Sequence, residues 1–293
     1  MARRLGFTAP GGAAAWFIVS TTILILGAVL VGFAAWLGVG SRLYYDRAQH
    51  DGLASFRAEL ARATAPTGPT QRGDPRKLLT PGMPVAVLTI PQIGLNAVVL
   101  EGTTGSVLED GPGHLRNTPL PGQRGISVIM GRQAAYGGPF GRISNLNPGA
   151  IFTVTTGEGV SRYRVLDVRR PGDPIPPLAA GGRLILATAD SYPFVPTGVL
   201  DVDANLISAP EPAPQMMMSA ADLSPSERAL GVDTAARVPM MLWAQALVLA
   251  GVGLSWLGSR WGRWQTRIVA VPVLVYLGAA VADQIVRLLP NLM

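Results

Sequence analysis

The sequence offers little to chemistry that needs sulfur or imidazole. Its 293 residues include no cysteine, which removes disulfides, thiolate metal ligands and cysteine nucleophiles together. His50 and His114 are the only histidines, too few for a zinc site, and neither a metal nor a cofactor is expected. Nucleophilic attack is left to hydroxyls, among them those of Thr188 and Ser191, on either side of Ala189 and Asp190. A hydroxyl attacks only when a base is held within hydrogen-bond reach. The only histidine in that part of the chain is His114, which closes a Gly111-Pro112-Gly113-His114 turn and reads as structural.

These residues sit in a region of short β-like runs separated by Gly and Pro. Strands are expected near Val85–Ile90, Ala97–Leu100, Ile126–Met130, Ile151–Thr155, Arg162–Val168, Leu184–Thr188 and Val199–Ile207. Strands this short and this regularly spaced argue for a closed barrel or a sandwich. The last run alternates: Leu200, Val202, Ala204 and Leu206 belong inside, Asp201, Asp203 and Asn205 outside.

The flanks are of another kind. Hydrophobic residues make up 48% of the chain and charged ones only 14%, against a usual charged share of about 25%. The deficit points to membrane segments. Ala15–Val39 carries no charge and exceeds the roughly 20 residues a span needs. Arg3 and Arg4 precede it as in a signal peptide, but the apolar run is too long for one, so it reads as a retained anchor. Val238–Gly258 and Arg267–Leu289 are two further spans, joined by a loop with Arg260, Arg263 and Arg267. The arginines place that loop and the N-terminus in the cytoplasm, and the central region and the C-terminus outside. Asp283 and Arg287 are four apart near the outer end of the third span, either an interfacial pair or a contact for a partner subunit. Gly251, Gly253 and Ser255 offer small residues for helix packing.

Between anchor and strands, Ser41–Ala63 reads as a helix with Leu43, Phe56 and Leu60 on its apolar side, and Thr64–Pro84 as a linker. A second Pro-rich stretch, Ala209 to Pro225, includes Met216, Met217 and Met218 and reads as a disordered tether or a soft contact patch. The division is 1–40 (N-terminus and first span), 41–84 (helix and linker), 85–208 (β domain), 209–237 (linker) and 238–293 (helical hairpin). Net charge is +6, but the arginines are scattered and form no basic stripe, which excludes a nucleic-acid surface.

Several runs of the β region resemble the sortases, the cell-wall transpeptidases of Gram-positive bacteria. They are Ile90-Pro91-Gln92-Ile93-Gly94-Leu95; Gly111-Pro112-Gly113-His114 with Pro121-Gly122-Gln123; Gly131-Arg132-Gln133 with Tyr136 and Pro139-Phe140; Leu146 to Gly149; and Ile185-Leu186-Ala187-Thr188-Ala189. The likeness covers about residues 81 to 208 and is nearest the actinobacterial, class E-like branch. It implies a mainly β fold, an eight-stranded sortase-like β-barrel outside the membrane, accompanied here by three transmembrane helices.

The resemblance also implies which residues should work, and they are absent. Sortases use a cysteine nucleophile, a histidine acid/base and an arginine at the oxyanion. Ala189 stands at the cysteine position, Arg132 at the histidine position and Val199 at the arginine position. A methyl group cannot attack, a guanidinium stays protonated and cannot cycle a proton, and valine donates nothing. What is left is a groove that holds an extended peptide in the family, with Arg132, Gln133 and Tyr136 on its floor and Tyr192 and Phe194 on the next loop. Either it binds a peptide or glycan without cutting it, or Arg132 is a solvated replacement with no task.

Three functions are therefore weighed. The first is a catalytically inactive scaffold or binding subunit of the cell envelope, with the bilayer and membrane or cell-wall assembly proteins as partners. The second is a transpeptidase or hydrolase with a relocated Ser/Thr nucleophile. The third is an accessory subunit of a secretion or transport complex.

Overall fold

The computed structural model describes residues 12–71, 74–177, 181–192, 195–214, 217–261 and 263–293. In chain order the helices are α1 (Gly12–Ala35), α2 (Ser41–Ala61), the single turn α3 (Val107–Asp110), α4 (Arg237–Trp261) and α5 (Arg263–Leu288). The strands are β1 (Thr70–Gln71), β2 (Asp74–Leu78), β3 (Pro84–Ile90), β4 (Leu95–Glu101), β5 (Gly113–His114), β6 (Ile126–Met130), β7 (Ile151–Thr156), β8 (Gly159–Arg169), β9 (Arg183–Tyr192) and β10 (Val195–Leu206). The chain forms two compact units: 12–38 with 237–285, and 39–236 with 286–293.

The second unit is a closed eight-stranded barrel in the order β10-β8-β7-β3-β4-β5-β6-β9. Most neighbours are antiparallel, while β4–β5 and β6–β9 run parallel. Alternation puts Val85, Leu88, Ile90, Phe152, Val154, Leu184, Leu186, Leu200, Val202 and Ala204 into one core. Phe152 stacks on Tyr163 within it, ring centroids 5.5 Å apart. The Tyr163 hydroxyl accepts from the Gly122 N–H at 2.6 Å, so the buried phenol is satisfied. The strands follow the expected runs, with two additions the sequence did not announce: the β5 pair and the β1–β2 hairpin inside the expected linker 64–84.

The last strand departs from expectation at one residue. Leu200, Val202, Ala204 and Leu206 face the core as read, but Asp203 is 0% exposed. Its face of the strand is covered by cations: Arg169 Nε reaches it at 3.0 Å and Arg183 Nη1 at 3.8 Å. Arg169 also bonds Asp201 at 2.9 Å. Outward on a barrel is thus not always outward to water.

Helix α2 packs on this unit. Phe56 is buried and Leu53 joins a cluster with Val98, Leu100 and Val107, whereas Leu43 is exposed and takes no part. Gln49 behaves as a piece of strand: it accepts from the Val98 N–H at 2.7 Å and donates to the Val98 and Asp110 carbonyls at 3.2 and 2.7 Å. This satisfies β4 where no neighbouring strand continues. The segment after β10 is also fixed in part. Glu211 bridges to Gln123, and Asn291 meets the carbonyls of Ser226 and Arg228. Within the stretch 209–225 read as a tether, Glu211 is thus paired, whereas Ser226 and Arg228 lie just beyond it; Met216 lies outside the described residues.

The first unit consists of α1, α4 and α5. Among the described residues, three helices are long and apolar enough to cross a membrane. Their packing rests on Gly32 and Gly278. A Cβ on Gly32 would lie 2.3 Å from the Val275 carbonyl oxygen, and one on Gly278 would lie 3.0 Å from the Val29 backbone. Gly253, a sequence candidate for this role, has nothing within 4 Å of that position. Leu249, Val252 and Trp264 remain exposed, as lipid-facing side chains would. Arg3 and Arg4 lie outside the described residues.

Candidate functional site

The site is built on β9 and β10, hydrogen-bonded so that Val199 lies opposite Ala189 and Leu200 opposite Thr188. Period-two alternation divides β9 between two faces. Leu184 and Leu186 enter the barrel core, whereas Ala187 and Ala189 join a separate cluster with Leu108, Met130 and Leu292. Val199 packs against that second cluster. The Thr188 hydroxyl donates to the Gly131 carbonyl at 2.9 Å, which ties it to the neighbouring strand end.

Gly131 brings the next residue into place. Its N–H donates to the Ala187 carbonyl at 3.0 Å, and a Cβ there would fall 2.6 Å from Phe140 Cγ, so only glycine fits without movement. Arg132 follows and is 0% exposed. Its Nη2 donates to the Gly105 carbonyl at 2.8 Å and its Nη1 to the Met293 carbonyl at 3.3 Å. Glu109 supplies the counter-charge at 3.8 Å, and the Tyr136 ring lies 5.0 Å from the guanidinium carbon. Tyr136 holds a left-handed backbone, φ +49°, and meets Tyr44 edge-on at 5.9 Å. Arg132 is therefore no solvated replacement, because a buried cation requires the partners it has.

What lies over these residues is part of the chain itself. After α5 the Leu289 N–H bonds the Val286 carbonyl and the Met293 N–H bonds the Pro290 carbonyl at 3.1 Å, closing a turn over Pro290–Met293. Asn291 and Leu292 are both 0% exposed. The Asn291 amide donates to the carbonyls of Thr103 (2.7 Å), Arg228 (3.0 Å) and Ser226 (3.3 Å), which fixes which end of the amide is nitrogen. Its main-chain N–H donates to Gly231 at 2.9 Å. The Leu292 carbonyl accepts from the Gln133 N–H at 2.9 Å, and its side chain completes the Ala187–Ala189 cluster. Arg287 pairs with Glu109 at 3.2 Å. Burial pushes the nearby Asp110 carboxyl up, against the pull of the Tyr44 hydroxyl and Arg287.

The sequence candidates thus separate. Arg132 and Tyr136 lie together beneath the turn and form no open floor. Gln133 and Tyr192 instead line a cavity of about 400 Å³ with Ser144, Thr188, Ala189, Asp190 and Arg170. Tyr192 is 81% exposed, and Arg170 pairs with Asp190 at 3.5 Å. Phe194 lies outside the described residues. The turn itself was missed; its signal was an apolar Leu292-Met293 beyond a Pro290-Asn291 break.

His114 is buried, with Nδ1 at 2.9 Å from the Glu101 carboxylate and Nε2 at 3.0 Å from the Pro119 carbonyl. A carbonyl only accepts, so Nε2 carries a proton, and both ring nitrogens are engaged. Thr188 and His114 therefore each have settled partners of their own.

The model of the sortase domain matches residues 88–190. Among solved structures, sortase E from Streptomyces avermitilis is 33% identical and covers 44% of this chain and 91% of its own, with a TM-score of 0.39. A sortase D5 transpeptidase of Clostridium perfringens is 22% identical over 55% of this chain and 99% of its own, TM-score 0.45. A sortase C of the same organism, solved with the C-terminal cell wall sorting motif, is 20% identical over 55% and 89%, TM-score 0.41. A search of curated proteins gave no match. The sortase domain match runs from Leu88 on β3 to Asp190 on β9, and places the barrel of this chain in the sortase family.

Proposed function

We propose that this protein is a catalytically silent sortase, a membrane-held barrel that serves the cell envelope as a scaffold or binding subunit. The observation that carries the reading is the composition of the cradle. Ala189 stands where the family resemblance places the cysteine, in a chain without any cysteine. Arg132 stands where it places the histidine, and is committed to the carbonyls of Gly105 and Met293. Among the described residues there, no group combines a nucleophile with a base. A relocated hydroxyl draws no support from Thr188, whose proton is given to Gly131.

In this reading the barrel lies outside the cytoplasm, α1, α4 and α5 hold it, and the partners are membrane or wall-assembly proteins. Three spans support recruitment by helix packing, since a tether needs only one. The test is turnover. Purified full-length protein incubated with sorting-signal peptides and amine nucleophiles is expected to give neither hydrolysis nor transfer. Turnover lost in Thr188→Ala or Ser191→Ala would replace this reading with that of an active hydrolase or transpeptidase. A mild-detergent pull-down, repeated without 238–293, assigns recruitment to the helices or to the barrel.

A further inference from the structure

We propose that the cradle around Ala189 is a binding site for a peptide turn, and that Pro290–Met293 of this same chain is its resident ligand. The proposal deepens the reading of a silent sortase by naming what the unused cradle holds.

Each part of the turn meets a fitted counterpart. Leu292 fills an apolar seat made by Leu108, Met130, Ala187 and Ala189. That seat is open to a leucine because positions 187 and 189 carry only methyl groups. Main-chain groups are read at three points: Gln133 N–H to the Leu292 carbonyl, Arg132 to the Met293 carbonyl, and the Asn291 N–H to the Gly231 carbonyl. Asn291 supplies selectivity, because its amide donates to three carbonyls from two separate stretches, Thr103 and Ser226–Arg228. Those stretches are themselves joined by the Thr103 hydroxyl on the Glu227 carbonyl. Glu109 then sits between the cation of the site, Arg132, and the cation of the ligand segment, Arg287.

The ligand class follows from these contacts. It is a turn carrying an asparagine, then a leucine, with free main-chain carbonyls at the leucine and at the residue after it. What makes it a turn is the Met293 N–H closing on the Pro290 carbonyl at 3.1 Å, a bond that an extended strand does not form. A turn of that kind from another protein competes for the seat only when the resident one is withdrawn.

The experiment uses the full chain in detergent and a fluorescent peptide of residues 286–293, Val-Arg-Leu-Leu-Pro-Asn-Leu-Met. In the native chain, hydrogen exchange at the Gln133 and Asn291 amides should be slow and the peptide should not bind. In Leu292→Asp, those two amides should exchange at least tenfold faster while Leu184–Ala187 stay protected, and the peptide should bind saturably. The same peptide with Asn→Ala should bind at least tenfold more weakly. Fast exchange at both amides in the native chain overturns the proposal, and that measurement needs no variant. So does native protein binding the peptide as well as Leu292→Asp does, or a folded Leu292→Asp binding none. Should Leu292→Asp lose protection in Leu184–Ala187, Asn291→Ala serves with the same readouts. Turnover on sorting-signal peptides, by contrast, would sink the silent-sortase reading and leave the seat of the turn intact.

Discussion

Asn291→Asp is the sharpest perturbation the structure offers, because it changes one atom's chemistry at nearly constant volume. The Asn291 nitrogen faces three carbonyl oxygens at 2.7, 3.0 and 3.3 Å in a fully buried position. Each neutral hydrogen bond contributes about 1 kcal/mol net, so removing the amide altogether in Asn291→Ala should cost about 1–3 kcal/mol. Aspartate does more than remove donors. It places a carboxylate oxygen against the three carbonyls, and a buried charge without a partner costs about 3–5 kcal/mol. At about 1.4 kcal/mol per decade, the docking equilibrium of 289–293 should fall roughly hundredfold or more. The assay is hydrogen exchange at the Gln133 amide, whose acceptor is Leu292, and at the Asn291-position amide, whose acceptor is Gly231. Both should lose about two decades of protection relative to the native chain at neutral pH. The docked carboxyl would have a pKa above the undocked value of about 3.9. Docking is then strongest below that undocked value and is lost as pH rises through the docked one. Protection relative to the native chain should therefore recover partly in acid. Exchange at neutral pH within about twofold of the native chain would refute the amide as the keystone of the turn.

Other outcomes follow from the same contacts. Arg169→Ala should destabilise the barrel by about 3 kcal/mol in chemical denaturation, because it leaves buried Asp203 beside Asp201 with only Arg183, at 3.8 Å, as counter-charge; Asp203→Asn, which removes the charge instead, should cost less. Gly131→Ala should cost about 1–3 kcal/mol, since its Cβ would strike the Phe140 ring at 2.6 Å. Burial raises the Glu158 carboxyl, with the Gln123 amide opposing. Its contribution to stability is greatest below the unfolded carboxylate pKa and declines as pH rises through the folded one, so Glu158→Gln should flatten that part of the stability–pH profile. Lys77 is the chain's only lysine and is exposed on β2, so a membrane-impermeant amine reagent should label it on intact cells if the barrel lies outside; labelling only after lysis would reverse the proposed orientation.

The barrel was legible because its signal is local. Alternation in 151–156 and 200–206 fixes which residues face inward, and Gly/Pro breaks fix where strands stop. What the pattern could not carry was pairing that spans the chain. Asp203 read as an outward aspartate, yet Arg169 and Arg183 arrive from other strands to bury it. Gln49 carried no signal within the helix expected over 41–63, and serves as a mimic of strand on β4. Arg132 read as either idle or peptide-binding because its partners, Gly105 and Met293, lie 27 and 161 residues away. The charge on an arginine is visible in a sequence, but the carbonyls that will claim it are not.

The substitutions at the cradle are coherent when taken as a filled site and not as a broken one. An acyl-transfer centre has to keep space beside its nucleophile and a group that can gain and lose a proton. A permanently occupied seat makes the opposite demands: small side chains under the occupant and donors that never release their protons. Ala187 and Ala189 meet the first demand. Arg132 meets the second, since its guanidinium is planar, always charged and long enough to span from the Gly105 carbonyl to the Met293 carbonyl while lying over Tyr136. An imidazole has only two ring nitrogens, and the one histidine nearby in sequence, His114, already uses both on Glu101 and Pro119. Restoring cysteine and histidine at 189 and 132 would therefore remove the anchor for Met293 without opening the seat, because Asn291 and Leu292 would still hold the turn in place. On this reasoning the triple variant Ala189→Cys, Arg132→His, Val199→Arg, which also supplies the oxyanion donor, stays inert toward sorting-signal peptides until Leu292→Asp is added. Transfer activity in the triple variant alone would show that the turn does not close the site.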